Sequence, residues 1–227
     1  IYLTKNTDNQ FLGDLFEGFL NRGVHQSEGQ FFTPMPIVRF LVSSLPLRQI
    51  IESGEIPKAI DYACGAGHFL TEYARQIKPF IEEKMNLQNE HNPKAKEEKL
   101  NAECFKYFKE IVGIEKDYRL SKVSQVAAFM YGMDGIHIHY GDGLEETSDI
   151  KDHTYSVLVA NPPYSVSGFM ETLTEEDREN FTLSQYVSNI EKNNSIETFF
   201  IERAAQLLKS GGVAAIVLPS SILYYIH

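Results

Sequence analysis

The sequence predicts an α/β protein, a doubly wound, mostly parallel sheet with a helical segment ahead of it. Three observations predict this. Five short runs read as strands, most of them apolar throughout, as strands covered on both faces are. Segments with helical periodicity lie between them. Caps and glycines punctuate the junctions. Strand-helix-strand repetition of this kind builds a parallel sheet.

Taken in order, residues 1–58 read as mainly helical. Phe11, Leu15 and Phe19 share one stripe, and a second helix follows Pro36. Residues 59–62 (AIDY) form the first strand, which turns through CGAG into a helix. Residues 86–101 are polar and read as a mobile excursion. Residues 111–115 (IVGIE) are the second strand, and the helix after Asp117 places Leu120, Val123, Ala127 and Met130 on one face. Residues 136–140 and 156–160 are the third and fourth strands. Residues 165–194 are polar, a lid or a loop for the target strand. In the last helix, Ile196, Phe199, Phe200, Ala204, Leu207 and Leu208 share a face. Asn194 and Glu197 resemble a capping box there, and Gly211 suits the C-terminal cap. Residues 213–218 are the fifth strand. A full sheet of this kind continues further, so its C-terminal part is expected to be truncated.

The totals narrow the function. The chain has 227 residues, 43% hydrophobic and 23% charged, ordinary for one sizeable soluble domain. No apolar run approaches the roughly 20 residues of a membrane span. The start, IYLTKNTDNQ, shows no signal-peptide pattern and no initiator Met, so a fragment or trimmed chain is expected. Cys64 and Cys104 make neither a disulfide framework nor a metal cluster, which fits a reducing cytoplasm. The formal net charge of −10 argues against a large nucleic-acid surface on this chain.

In open parallel sheets, ligands bind beyond the carboxyl ends of the strands. The first such end carries Gly65 and Gly67, which let the backbone approach a ligand at a helix N-terminus. The pattern is not a dinucleotide fingerprint, since position 70 is Leu rather than Gly. Glu115 ends the second strand, where a carboxylate can accept from both ribose hydroxyls. Asp142 follows the third, where it can accept from an adenine amino group. Together these acids suggest an adenosyl ligand. The turn has no basic residue and the chain has no G-K-[ST], and Asp61 tolerates a sulfonium and an ammonium better than a pyrophosphate. S-adenosyl-L-methionine is favoured over NAD or ATP.

The fourth strand ends abruptly in NPPY, Asn161, Pro162, Pro163 and Tyr164. Asn161 Oδ1 and the Pro162 carbonyl can together accept the two hydrogens of an –NH₂ group. The prolines restrict the backbone, so both acceptors stay aimed. Tyr164 offers a flat face for a planar group.

With these pieces in order, the chain resembles the N6-adenine DNA methyltransferases, and among them the methylation (M) subunits of type I restriction-modification systems. The matching segments are GQFFTPMPIVRFLV from Gly29, DYACGAGHFL from Asp61, IVGIE, GDGL around Asp142, and NPPY. They span most of residues 29–219. The resemblance implies a Rossmann-like S-adenosylmethionine-dependent methyltransferase fold, with residues 1–45 as a helical segment packing on the cofactor site and residues 46–227 as the catalytic domain. It places Gln30, Phe31, Phe32, Thr33 and Pro34 along the methionine end of the cofactor. Gly65, Ala66 and Gly67 lie beside them, and Glu115 takes the ribose. Asp61, Ala63, His68, Phe69, Asp142 and Gly143 complete the cofactor set. It implies double-stranded DNA as substrate, with the target adenine flipped out and stacked on Tyr164, and Phe169 as a further stacking candidate. A specificity subunit, and a restriction subunit beside it, are the implied partners. No metal is implied. His137 and His139 are expected to be structural.

The negative charge is at odds with a DNA surface, so DNA recognition is expected on another region or subunit. A protein-glutamine methyltransferase uses the same NPPY logic and tolerates an acidic surface. Methylation of ribosomal RNA bases is a weaker option. A non-catalytic cofactor-binding assembly subunit is another, and the intact NPPY argues against it.

Overall fold

The computed structural model describes residues 33–86 and 91–224. The helical stripe of Phe11, Leu15 and Phe19, and Gln30, Phe31 and Phe32, lie outside the described residues.

Two helices come first, α1 (Met35–Ser43) and α2 (Leu47–Glu52). The core then alternates: β1 (Ala59–Asp61), α3 (His68–Met85), α4 (Pro93–Phe108), β2 (Ile111–Glu115), α5 (Tyr118–Met130), β3 (His137–Tyr140) and β4 (Tyr155–Ala160). Two short 3₁₀ turns, Phe169–Thr172 and Thr182–Tyr186, flank the single-turn helix α6 (Glu175–Glu179). Helix α7 (Ile196–Leu207) runs directly into β5 (Leu208–Ile216), and a last 3₁₀ turn covers Ser220–Tyr224.

The five strands lie in the order β3-β2-β1-β4-β5, and every pairing is parallel. Chain direction along the sheet therefore reverses between β1 and β4, the switch point at which such sheets open a crevice. The strands alternate residue by residue between two cores. Ala59, Val157 and Val159 join the side chains of α1 to α4. Ile60, Leu158 and Ala160 face the other way, onto α7 and the turns after β4. Burial on both faces explains why these strands read as unbroken apolar runs.

Four expectations need correction. The excursion at residues 86–101 is largely helix α4. Asn92 caps it by accepting from the Lys94 and Ala95 amides, and Pro93 takes the first position. Its Lys/Glu-rich face is solvated, while Leu100, Cys104, Tyr107 and Phe108 are buried at helical spacing. The capping box of α7 does not form. Ser195 is its N-cap without a side-chain bond, and Glu197 instead accepts from the Ser165 amide at 3.0 Å. Gly211 is no helix cap. The helix ends at Leu207, and Gly211, at φ +77°, sits in an irregular stretch of β5 that shifts the register against β4. Finally, α5 buries Leu120 of the expected face together with Ser121, Ser124 and Ala128, while Val123, Ala127 and Met130 are half-buried. Ser124 packs against Gly67, where the close approach favours a small side chain.

Candidate active site

The switch point gathers the strand ends. Residues after β1, β2, β3 and β4 line one cavity of about 330 Å³. Its wall includes Ala63 and Gly65, Glu115, Asp142 and Gly143, and Asn161 with Pro162, Pro163 and Tyr164. The sequence expectation brought these same residues together. Asp61, Ala66 and Phe69 are buried and are not part of this wall. His68 opens α3 behind Gly67, which caps the helix at φ +81°.

The glycine turn is held from two sides. Glu115 Oε2 accepts from the Gly65 amide at 2.8 Å, and Oε1 accepts from the Asp117 amide at 2.7 Å. Ser124 on α5 donates to the Gly65 carbonyl. A Cβ at Gly67 would meet the Ser124 side chain at 3.3 Å, so glycine suits both the left-handed φ and the close packing. Burial raises the Glu115 carboxyl above its ordinary range, against the pull of its two amides.

Asp61 is more extreme. Its Oδ1 accepts from the Ala63 amide at 3.0 Å, and its Oδ2 has no hydrogen-bond partner among the described residues. Burial, with the charge of Glu115 adding to it, pushes its carboxyl well above the ordinary range. The Tyr62 hydroxyl beside it is likewise without a partner among the described residues. A buried polar atom left unbonded costs about 1–3 kcal/mol, so these atoms mark where a ligand or water belongs.

At the far end, Asp142 Oδ1 accepts from the Leu144 amide at 3.0 Å. Its Oδ2 is bonded to Lys116 at 2.6 Å. Lys116 follows Glu115 directly, and it also donates to Thr172 at 3.3 Å. Gly143 packs so closely on the Tyr62 carbonyl that no Cβ fits.

At the end of β4, Asn161 Nδ2 donates to Thr33 Oγ1 at 2.9 Å. Its Oδ1 faces the Tyr164 hydroxyl, which also lies 3.0 Å from the Val217 carbonyl. Burial, with Glu197 nearby, pushes the Tyr164 hydroxyl up to about 12, so it keeps its proton at neutral pH. Phe169 lines the cavity but packs edge-on against Phe199. His137 is exposed on edge strand β3, away from the cavity wall.

Sequence reasoning missed Lys116, Ser124, Leu120, Leu144 and Phe200. The Lys after a strand-end acid was the one available signal. No group of three or more His, Cys, Asp or Glu could hold a metal ion among the described residues. No helix among them is long and apolar enough to cross a membrane.

A family model described as N-6 DNA Methylase matches residues 7–226. The chain belongs to this family. Among its relatives is the type II restriction enzyme and methyltransferase RM.Eco57I of Escherichia coli, 24% identical over 95% of this chain and 27% of that protein. Another is the StySPI type I restriction enzyme methylase subunit of Salmonella potsdam, 23% identical over 93% of this chain and 36% of that protein. The N-6 DNA methylase chain thus spans roughly a quarter to a third of these curated relatives. In fold it is similar to the type I restriction-modification methyltransferase subunit from Streptococcus thermophilus. The TM-score is 0.60 at 18% identity, covering 98% of this chain and 42% of that one. The motif-based resemblance to type I modification subunits agrees with these relatives.

Proposed function

We propose that this chain carries the cofactor site and amine-presenting site of a DNA modification enzyme. It transfers a methyl group from S-adenosylmethionine to N6 of an adenine flipped out of double-stranded DNA. The observation that carries the reading is the meeting of NPPY with the glycine turn and the strand-end acids around one cavity.

The residues fit the cofactor. Glu115 keeps lone pairs for a ribose diol after serving its two amides. Asp142 supplies an acceptor at the adenine end. The unbonded Asp61 oxygen supplies negative charge on the side where an ammonium belongs. No cation lies in the glycine turn to demand a phosphate. When bound, S-adenosylmethionine supplies an electrophilic sulfonium methyl group.

The chain's own residues do the rest by position. Unstacking the target base costs a few kcal/mol. Asn161 Oδ1 and the Pro162 carbonyl accept the two N6 hydrogens, turning the nitrogen lone pair toward the methyl. The Tyr164 ring stacks on the base. Val166 and Phe169 on the wall exclude water. The site works by positioning and charge complementarity.

The acidic charge of −10 supports DNA recognition on a separate specificity subunit, with a restriction subunit as a further partner in the cytoplasm. The same charge favours the second reading, methylation of a protein glutamine, whose amide nitrogen the Asn161 and Pro162 acceptors would hold equally well. The test expresses the full-length protein and its natural partners in cells without adenine methylation. Nucleosides from their DNA are then quantified by mass spectrometry. N6-methyladenine is expected with wild type and absent with Asn161→Ala. Methylglutamine in place of methyladenine would transfer the assignment to the second reading.

A further inference from the structure

We infer that Thr33 is a positioning residue that sets which way the Asn161 amide faces. The inference rests on reading Asn161 as the amine acceptor. An asparagine amide is nearly symmetric in shape, and only one of its two orientations presents an acceptor. The torsion that exchanges them is soft. The Pro162 carbonyl is aimed by backbone, but nothing in Asn161 itself aims its oxygen. A flipped amide would offer N–H to N–H.

In the structure the nitrogen end is taken. Asn161 Nδ2 donates to Thr33 Oγ1 at 2.9 Å, across 128 residues of sequence. The oxygen end meets the Tyr164 hydroxyl. That hydroxyl has a second acceptor in place, the Val217 carbonyl at 3.0 Å. An arriving amine can therefore take Oδ1 while the Tyr164 proton moves to Val217. The Thr33 contact stays in place when the amine arrives and holds the amide against turning.

Thr33 is firmly delivered. It precedes Pro34, which restricts the residue before it to extended backbone. Helix α1 follows, with Val38 and Val42 buried in the core against α3. Gln76 of α3 also donates to the Arg39 carbonyl at 3.2 Å. Thr33 is not among the residues of the cavity wall. Its hydroxyl oxygen accepts from Asn161.

The test compares Thr33→Val, which keeps shape and loses the hydroxyl, with Thr33→Ser, which keeps the hydroxyl. In full-length protein labelled with ¹⁵N-asparagine, Asn161→Asp identifies the Asn161 side-chain resonance by its disappearance. That resonance should shift and exchange faster in Thr33→Val, and return in Thr33→Ser. S-adenosylhomocysteine Kd is measured on both variants beside kcat, so that a loss of cofactor affinity is told apart from a loss of positioning. With partner subunits and DNA, kcat should fall about ten- to hundredfold in Thr33→Val and recover in Thr33→Ser. An unmoved resonance overturns the inference, as does a loss of S-adenosylhomocysteine affinity that tracks the loss of activity. A wild-type complex that methylates no DNA overturns the DNA reading alone. The resonance and the affinity then still decide the role of Thr33.

Discussion

Asp61 is fully buried, with one oxygen unbonded among the described residues, an arrangement that costs the protein stability at neutral pH. Its carboxyl is held well above the ordinary range by burial. The native state therefore keeps this proton to higher pH than the unfolded chain does. Stability from this group is complete below the unfolded value, about 4, and is lost as pH rises through the raised one. Asp61→Asn should thus raise the melting temperature of the ligand-free protein at pH 7 to 8, with the gain shrinking toward pH 4. The same variant should bind S-adenosylhomocysteine more weakly; thermal shift and calorimetry check both. Asp61, Glu115 and Asn161 were legible because each stands where an apolar run stops. Lys116 and Ser124 were not, because what they do depends on partners distant in sequence. Lys116 meets Asp142, and Ser124 meets the Gly65 carbonyl 59 residues away.

Among the elements, α4 hangs on its first turn. Asn92→Ala removes the acceptor for two amides and should cost about 1 kcal/mol, read from urea denaturation. The GDGL turn after β3 is less forgiving. A Cβ on Gly143 would stand 2.1 Å from the Tyr62 carbonyl and 3.1 Å from the Phe200 ring. Gly143→Ala should cost about 1–3 kcal/mol and weaken S-adenosylhomocysteine binding, because backbone at the end of β1 must yield. The five strands were legible from their apolar runs. Helix α4 was missed because its charged face dominates the composition while its buried residues are few. The start of β5 was missed because a glycine pair ordinarily ends a helix, and here it bends a strand. The face of α5 was misjudged because contact with a glycine turn selects small side chains over large apolar ones.

For the whole molecule, the charge of −10 sets the expectation that this chain alone holds duplex DNA weakly. Fluorescence anisotropy on a labelled duplex should show little binding by the chain at moderate salt. Tight, steeply salt-dependent binding should appear only when the proposed specificity subunit is added. The parallel architecture was legible from alternation, and its strands lie in the order β3-β2-β1-β4-β5. That order has a consequence for biosynthesis. The first three strands can pair as soon as they are made, but the second edge of β1 must wait for β4. Until then a short apolar strand stands exposed, and such edges recruit other chains. Nascent chains arrested before Tyr155 should therefore aggregate or occupy chaperones more than chains in which β4 has been made. The contact between Thr33 and Asn161 spans both sides of the switch point, so it can close only after β4 has been made. An ordered amide at Asn161 would then mark a chain whose switch point has formed.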